Sequence, residues 1–198
     1  VSERAEVLFA TSNKGKVIEA QLVVEPFGIT LKPIDLSKRE IQSDDLREIA
    51  EEAAFSIARE KLVSVLVEDS GLFINALNGF PGPYSAYVYR TVGIQGILDL
   101  LKHSTQREAQ FRAAAAYCRP NERPHGFAGF VNGIITEGPR GSGGFGFDPI
   151  FAPNENRSET FAEMTAEEKN RFSHRSHAFR EFAEWFRGAR NRSNLHTT

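Results

Sequence analysis

Val65–Tyr89, VLVEDSGLFINALNGFPGPYSAYVY, decides how this chain is read. It opens on Val65, Leu66 and Val67, an apolar run of the kind that buries as a strand. Two carboxylates follow, Glu68 and Asp69. Ser70 and Gly71 then make a polar turn where the strand is expected to end. A second apolar run continues, broken by Asn78-Gly79 and by the rigid Pro81-Gly82-Pro83. Carboxylates at the end of a buried strand are costly unless something pairs with them. In α/β proteins that edge of the sheet is where ligands collect. An Asp69 that merely caps a turn is the plain alternative, and the flanking segments weigh against it.

Upstream, Val7–Ala10 reads as a short buried strand, and TSNKGK at 11–16 leads into a helix with Val17, Ile18, Leu22 and Phe27 on roughly one face. Thr11, Ser12 and Asn13 are residues that cap a helix start. Free backbone N–H groups there, the helix dipole, Lys14 and Lys16 suit a phosphate, with Gly15 between the lysines. A Walker A loop is excluded, because Ala10 and Val17 stand where that motif needs Gly and Ser or Thr. Ile29–Ile34 is a second strand, and Pro33 places it at an edge of the sheet or marks its end. Residues 35–43 are a polar loop. Asp44 to about Leu62 is a helix with apolar residues at every third or fourth position, and its alanine-rich face suits close packing on a sheet.

Downstream, Gly93–His103 reads as a short helix. Ala109–Tyr117 and Phe127–Ile135 read as a hairpin joined by RPNERP at 119–124. The loop GPRGSGGFGFD at 138–148 matches G-x-G-x-x-G at Gly141, Gly143 and Gly146, but no helix follows and no βαβ unit brackets it, so dinucleotide binding is rejected. Its glycines would let backbone approach a ligand, with Phe145 and Phe147 as aromatic walls. Thr165–Glu168 is a capping box that opens a helix carrying Lys169. Ser173-His174-Arg175 interrupts the pattern before a last helix with Phe179, Phe182, Ala183 and Phe186 inward. Residues 191–198 read as a frayed tail.

The 198 residues fit one domain, 1–198. A net charge of −2 and the absence of a polybasic block point away from nucleic acid and from membrane surfaces. Cys118, the single cysteine, cannot pair within the chain. With no long apolar run and no signal peptide, a cytoplasmic protein is expected. Alternating strands and helices followed by a hairpin imply an α/β fold: an elongated mixed β-sheet flanked by helices, in two lobes with a central nucleotide-binding cleft. Four polar clusters can converge there. Thr11–Lys16 suits phosphates. Glu68 and Asp69 suit a hard divalent cation such as Mg²⁺. The Gly-Phe loop suits stacking on a flat ring. Lys169, His174 and Arg175 suit carbonyl or phosphate oxygens. Together these describe a nucleotide.

TSNKGK at 11–16, EDSGL at 68–72, FPGPYSA at 80–86, GGFGFDPIF at 143–151 and SHR at 173–175 also resemble, in order and over nearly the whole chain, the inosine triphosphate pyrophosphatase family, in an archaeal style. The family hydrolyses ITP, dITP and XTP to the monophosphate and pyrophosphate. The resemblance implies an ITPase-like or Maf-like fold, a homodimer, Mg²⁺, and attack of water on the α-phosphorus. It carries a triphosphate-binding role to Thr11, Asn13 and Lys16. It makes Asp69 general base and metal ligand, Glu40 a second metal ligand and Ser70 a substrate contact. Phe145, Gly146, Phe147 and Asp148 match the family's base pocket, and Lys169, His174 and Arg175 its base- and substrate-reading residues. Position 68 is Glu where many relatives carry a second Asp. Two alternatives stay open: a Maf-like pyrophosphatase for modified nucleotides, and a nucleotide-binding sensor without turnover.

Overall fold

The structure, a computed structural model, describes residues 4–36 and 41–195. The first half alternates as expected: β1 (Ala5–Ala10), α1 (Lys14–Val24), β2 (Ile29–Ile34), α2 (Leu46–Lys61) and β3 (Val65–Ile74). A two-residue strand β4 (Pro81–Gly82), α3 (Ser85–Thr91) and α4 (Gly93–Leu100) follow. The hairpin is β5 (Glu108–Cys118) and β6 (His125–Ile135), and β7 (Phe151–Pro153), α5 (Ala166–Lys169) and α6 (His174–Leu195) complete the order. Among the described residues the sheet has seven strands, in the order β2-β1-β3-β5-β6-β7 with β4 also on β3. β1 is parallel to β2 and β3, and the other pairings are antiparallel. The expected mixed sheet with flanking helices is therefore present.

Side-chain alternation along β5 explains how the layers stack. Ala113, Ala115 and Tyr117 face α1 and α6, where Phe9, Phe127, Phe179 and Phe182 form a shared core. Ala114, Ala116 and Cys118 face α2 and meet Ala50, Ala53, Ala54 and Ala58. Four consecutive alanines let helices approach both faces of the strand closely. A third cluster, built on Leu72, Ile74, Ile97, Phe111, Phe151 and Phe161, forms the other lobe. Each buried ring contributes roughly 1.5–3 kcal/mol by leaving water. Surface pairs such as Arg4–Glu25 and Lys32–Glu6 are worth about 0–1 kcal/mol, so the phenylalanines dominate.

β3 departs from expectation in a way that creates the site. It does not end at Ser70-Gly71 but continues to Ile74, because β5 pairs with it along its whole length, Val65↔Cys118 to Ile74↔Ala109. On its other edge β1 reaches only Leu66, and β4 takes over only at Leu72. The sheet forks between them. Ser85 Oγ accepts from Leu72 N at 2.8 Å and donates to Gly82 O at 2.7 Å, pinning the Pro-Gly strap to β3. Gly71 is needed there, since a Cβ would collide with the Gly82 carbonyl.

Other departures have local causes. Ser85–Thr91 is a helix despite its β-prone Tyr, Val and Thr, because Ser85 and Val88 anchor one face. α1 buries Glu19, Ala20, Val23 and Val24 rather than a face through Ile18, which is exposed. The break before the last helix falls at 170–173: α5 ends at Lys169 and α6 begins at His174, and its helical backbone runs on to Leu195, into the stretch expected to fray. Cys118 is buried in the α2-side core, as its position at a strand end implies. Among the described residues no helix is long and apolar enough to cross a membrane.

Candidate active site

The fork in the sheet opens onto a cavity of about 740 Å³. Three of its walls come from elements already anticipated. The β1–α1 junction supplies Thr11, Ser12, Asn13 and Lys16. Asn13 caps α1 by accepting from Lys16 N at 3.2 Å, and Thr11 Oγ1 accepts from Asn13 N at 3.1 Å. The β3 fork supplies Asp69 and Ser70, and the glycine-rich loop supplies Phe145, Gly146, Phe147 and Asp148. Lys169, His174 and Arg175 close the floor.

Two predicted positions stay out of the lining. Lys14 is exposed. Gly15 lies against Phe145, where a Cβ would come within 2.5 Å of the ring. Glu40 lies outside the described residues. Of the glycines matching G-x-G-x-x-G only Gly146 lines the cavity, with φ of 61°. Gly141 instead approaches the Ala162 backbone and Gly143 N donates to Ala162 O at 2.9 Å, so those glycines serve the loop's own packing rather than a ligand. The fourth wall is α3 with its N-cap residue Tyr84, which together place Tyr84, Tyr87 and Arg90 on the cavity. Tyr89 also lines it and packs edge-on against Phe147 at 5.5 Å.

Alternation along β3 separates the two acids. Successive side chains of a strand point to opposite faces. Glu68 and Ser70 share the face of Leu66, toward α1 and α6, and Asp69 takes the opposite one. The expectation that Glu68 and Asp69 together hold one cation is corrected accordingly. Glu68 is buried, with Lys16 Nζ 2.7 Å from Oε2 and Arg175 Nη2 3.1 Å from Oε1. Both of its oxygens are engaged by protein cations.

Beneath the cavity, charges alternate without a break. Lys16 meets Glu68, Glu68 meets Arg175, and Arg175 Nη1 meets Glu19 Oε2 at 2.5 Å. Glu19 Oε1 then accepts from Lys169 Nζ at 2.7 Å, and the same nitrogen reaches Asp148 Oδ2 at 2.7 Å. Asp148 also accepts from Phe145 N at 2.9 Å, and Arg175 Nη2 donates to Ser70 Oγ at 3.0 Å. The chain thus joins the helix start at one end to the aromatic loop at the other. Lys169 and Arg175 both lie over the Phe145 ring, at 5.1 and 5.2 Å. Burial opposes ionisation of Glu19, but Arg175 and Lys169 together hold its carboxyl below the usual carboxylate range. Burial pushes the Asp148 carboxyl up, against the pull of Lys169. Glu19 carries no recognisable motif. The one available signal is an acid beside Ala20 on the inward face of α1.

His174 is buried and stacks on Phe111 at 4.8 Å with an interplanar angle of 11°. Its Nδ1 has no partner among the described residues. Burial first, then the charges of Arg175, Lys169 and Lys16, hold the imidazole well below its ordinary value of 6.5. The ring is therefore neutral near pH 7 and presents one acceptor and one donor. An unfolded chain binds a proton below about pH 6.5 that the folded chain refuses. Stability from this residue is complete above that pH and falls below it, by up to about 1.4 kcal/mol per unit. Urea unfolding at about pH 7.5 and about pH 5 is expected to show this loss, with a smaller one in His174→Asn. Equal losses in the two proteins would remove His174 as the cause.

The fold is thus a mixed α/β sheet forked over one polar cavity, with a cationic helix start at one end and an aromatic, cation-floored slot at the other. The chain belongs to the Ham1 family, whose model matches residues 7–185. It is similar to the dITP/XTP pyrophosphatase of Methanopyrus kandleri, 51% identical over 182 residues that cover 92% of this chain and 96% of that protein. The dITP/XTP pyrophosphatase of Thermococcus kodakarensis is 52% identical over 179 residues, covering 90% and 96%. Among solved structures the Ham1 protein of Staphylococcus aureus superposes with a TM-score of 0.78 at 30% identity, over 93% of this chain and 99% of that one. The family resemblance carried by the five short segments is thereby borne out.

Proposed function

We propose that this protein hydrolyses non-standard purine nucleoside triphosphates, dITP, XTP and ITP, to the nucleoside monophosphate and pyrophosphate. The observation that carries the reading is the arrangement of one cavity. A capped helix start with Lys16, the carboxylate of Asp69, and an aromatic slot floored by Lys169 and Arg175 all line it. The names of its relatives supply the substrate class and agree with that arrangement.

In this reading the first-turn N–H groups of α1 and Lys16 hold the phosphates that leave, and stabilise the charge that grows on them. Asp69 removes the proton from the attacking water. Ser70, held by Arg175, contacts the substrate. The ring enters between Phe145 and Phe147 and meets His174, Lys169 and Arg175. Hypoxanthine and xanthine present an oxygen at position 6, and adenine presents an amino group. A donor facing that amino group leaves both unpaired, a mismatch worth up to about 10⁴ in selectivity.

The donor set also fits a hard divalent cation. Asp69 and Asp35 both line the cavity, and Mg²⁺ commonly takes one or two carboxylates together with substrate phosphate oxygens. Asp69 and Glu40 would hold it, whereas Glu68, clasped by Lys16 and Arg175, would not. When bound, the ion supplies charge neutralisation at the phosphates and a more acidic water. The protein is further proposed to act as a homodimer in the reducing cytoplasm, where the buried Cys118 thiol stays reduced.

The test is pyrophosphate release in the presence of Mg²⁺ from ITP, XTP, dITP, ATP, GTP, CTP and UTP. Fast release from the first three and slow release from the rest is expected. Release of orthophosphate would move the attack to the γ-phosphorus and defeat the proposal. A preference for pyrimidine or guanine triphosphates would favour the Maf-like alternative, and binding without any release the sensor.

A further inference from the structure

Glu19, at the centre of the alternating charge chain, is a carboxylate to which the reaction above gives no task. We infer that Glu19 is the positioning residue for ring discrimination: by fixing Lys169 and Arg175 it decides which N–H of each faces the bound base. The inference rests on the proposed reaction and deepens it.

Counting donors makes the case. An ammonium has three N–H groups. Lys169 commits one to Glu19 and one to Asp148, which leaves one. A guanidinium has five. Arg175 directs Nε to Glu68, one Nη2 hydrogen to Ser70 and the other toward Glu68, and one Nη1 hydrogen to Glu19. One Nη1 hydrogen remains. Each cation therefore keeps a single donor for a ligand, and both cations line the cavity beside Phe145. Glu19 is the group that sets both. Its two oxygens are divided, one to each cation, and its backbone carbonyl accepts from Asn170 Nδ2 at 2.9 Å. Without it Lys169 keeps only its bond to Asp148, so the ammonium has two N–H groups to offer in place of one, and Nη1 likewise has two in place of one.

The location of Glu19 adds a second argument. It follows Lys16 by three residues on α1, a rise of roughly 4.5 Å. One rigid helix thus carries both the phosphate end of the cavity and the clamp on the ring-reading cations. The spacing between phosphate grip and ring reading is set by that helix, not by a loop. Charge balance points the same way. Lys16, Lys169 and Arg175 are matched by Glu19, Glu68 and Asp148. Loss of one anion leaves a net positive floor that attracts any triphosphate, whatever its base. Buried ion pairs roughly break even against apolar packing, so stability alone does not account for an acid at this position.

The test compares Glu19→Gln and Glu19→Asp with the unaltered full chain. Both kcat and KM are measured for ITP and for ATP, together with inhibition by inorganic triphosphate. In Glu19→Gln the ITP-to-ATP ratio of kcat/KM is expected to fall by about tenfold or more. The loss should appear on ITP chiefly in KM, while inhibition by inorganic triphosphate is retained or strengthened. Glu19→Asp keeps the charge but is one methylene too short to reach both cations, so an intermediate ratio is expected. Equal losses on ITP and ATP, or an unchanged ratio, would overturn the inference. So would insoluble recovery of both variants, which would assign Glu19 to the fold alone. If the unaltered protein releases no pyrophosphate, the proposed reaction fails separately. Binding of IMP against AMP to the same variants then decides: a selectivity lost with Glu19 supports the inference, and an unchanged one sinks it.

Discussion

Asp69→Asn is expected to lower the rate of pyrophosphate release by roughly 10²–10⁴-fold, the usual contribution of a positioned general base. Binding of the nucleotide should remain measurable. Asp69 sits in the β3 fork, half-buried, on the opposite face of the strand from Glu68 and Ser70. The alternating chain of Lys16, Glu68, Arg175, Glu19, Lys169 and Asp148 runs on the other face and is left intact. Asn matches Asp in size, and the backbone pairing of Asp69 with Ala114 does not involve the side chain. The melting temperature of the variant, measured beside the rate, separates loss of the carboxylate from a disturbed fold. Single-turnover release from ITP, beside calorimetric binding of the same nucleotide, separates turnover from binding. A variant with the wild-type rate would remove Asp69 as base. Loss of binding together with rate would make its main task that of holding the phosphates through a cation.

What could be read in the sequence was what short range dictates. The capped start at Asn13, the capping box at Thr165–Glu168 and the β5–β6 hairpin all rest on residues within a few positions of each other. They stand where local chemistry puts them. Ser70-Gly71 is a turn signal only when nothing pairs with it, and in β3 ten residues of β5 do. That partner lies some 45 residues away and no local pattern announces it. α3 was hidden for a related reason. Its tyrosines and valine favour strands locally, while the Ser85 bond to β3 fixes where the chain turns. Most site residues carried by the short segments line one cavity, whereas Lys14 and Gly15 do not. Glu19 escaped because an acid within an amphipathic helix looks solvated until the Lys169 and Arg175 that face it are brought together, about 150 residues later in the chain.

Arg175→Ala is expected to act on stability and selectivity at once, and the two effects have separate origins. Removing the guanidinium leaves Glu68 Oε1 and Glu19 Oε2, both deeply buried, without their cation. Breaking one partner out of a buried pair costs about 3–5 kcal/mol, a large share of the 5–15 kcal/mol that usually holds a domain. For a chain of this size that lowers the melting temperature by roughly 6–20 °C. Selectivity should fall because the remaining Nη1 donor that can meet a ring oxygen is gone, and the ITP-to-ATP ratio of kcat/KM is expected to narrow. Arg175→Lys divides these effects. It keeps a charge near Glu19 and Glu68 but lacks the planar fork that spans both carboxylates and Ser70. Most of the stability should return while the ratio stays narrow. An unchanged melting temperature in Arg175→Ala would mean the guanidinium does not bridge the two acids. An unchanged ratio would clear it of ring reading and leave that task to Lys169 and to the neutral His174 stacked on Phe111.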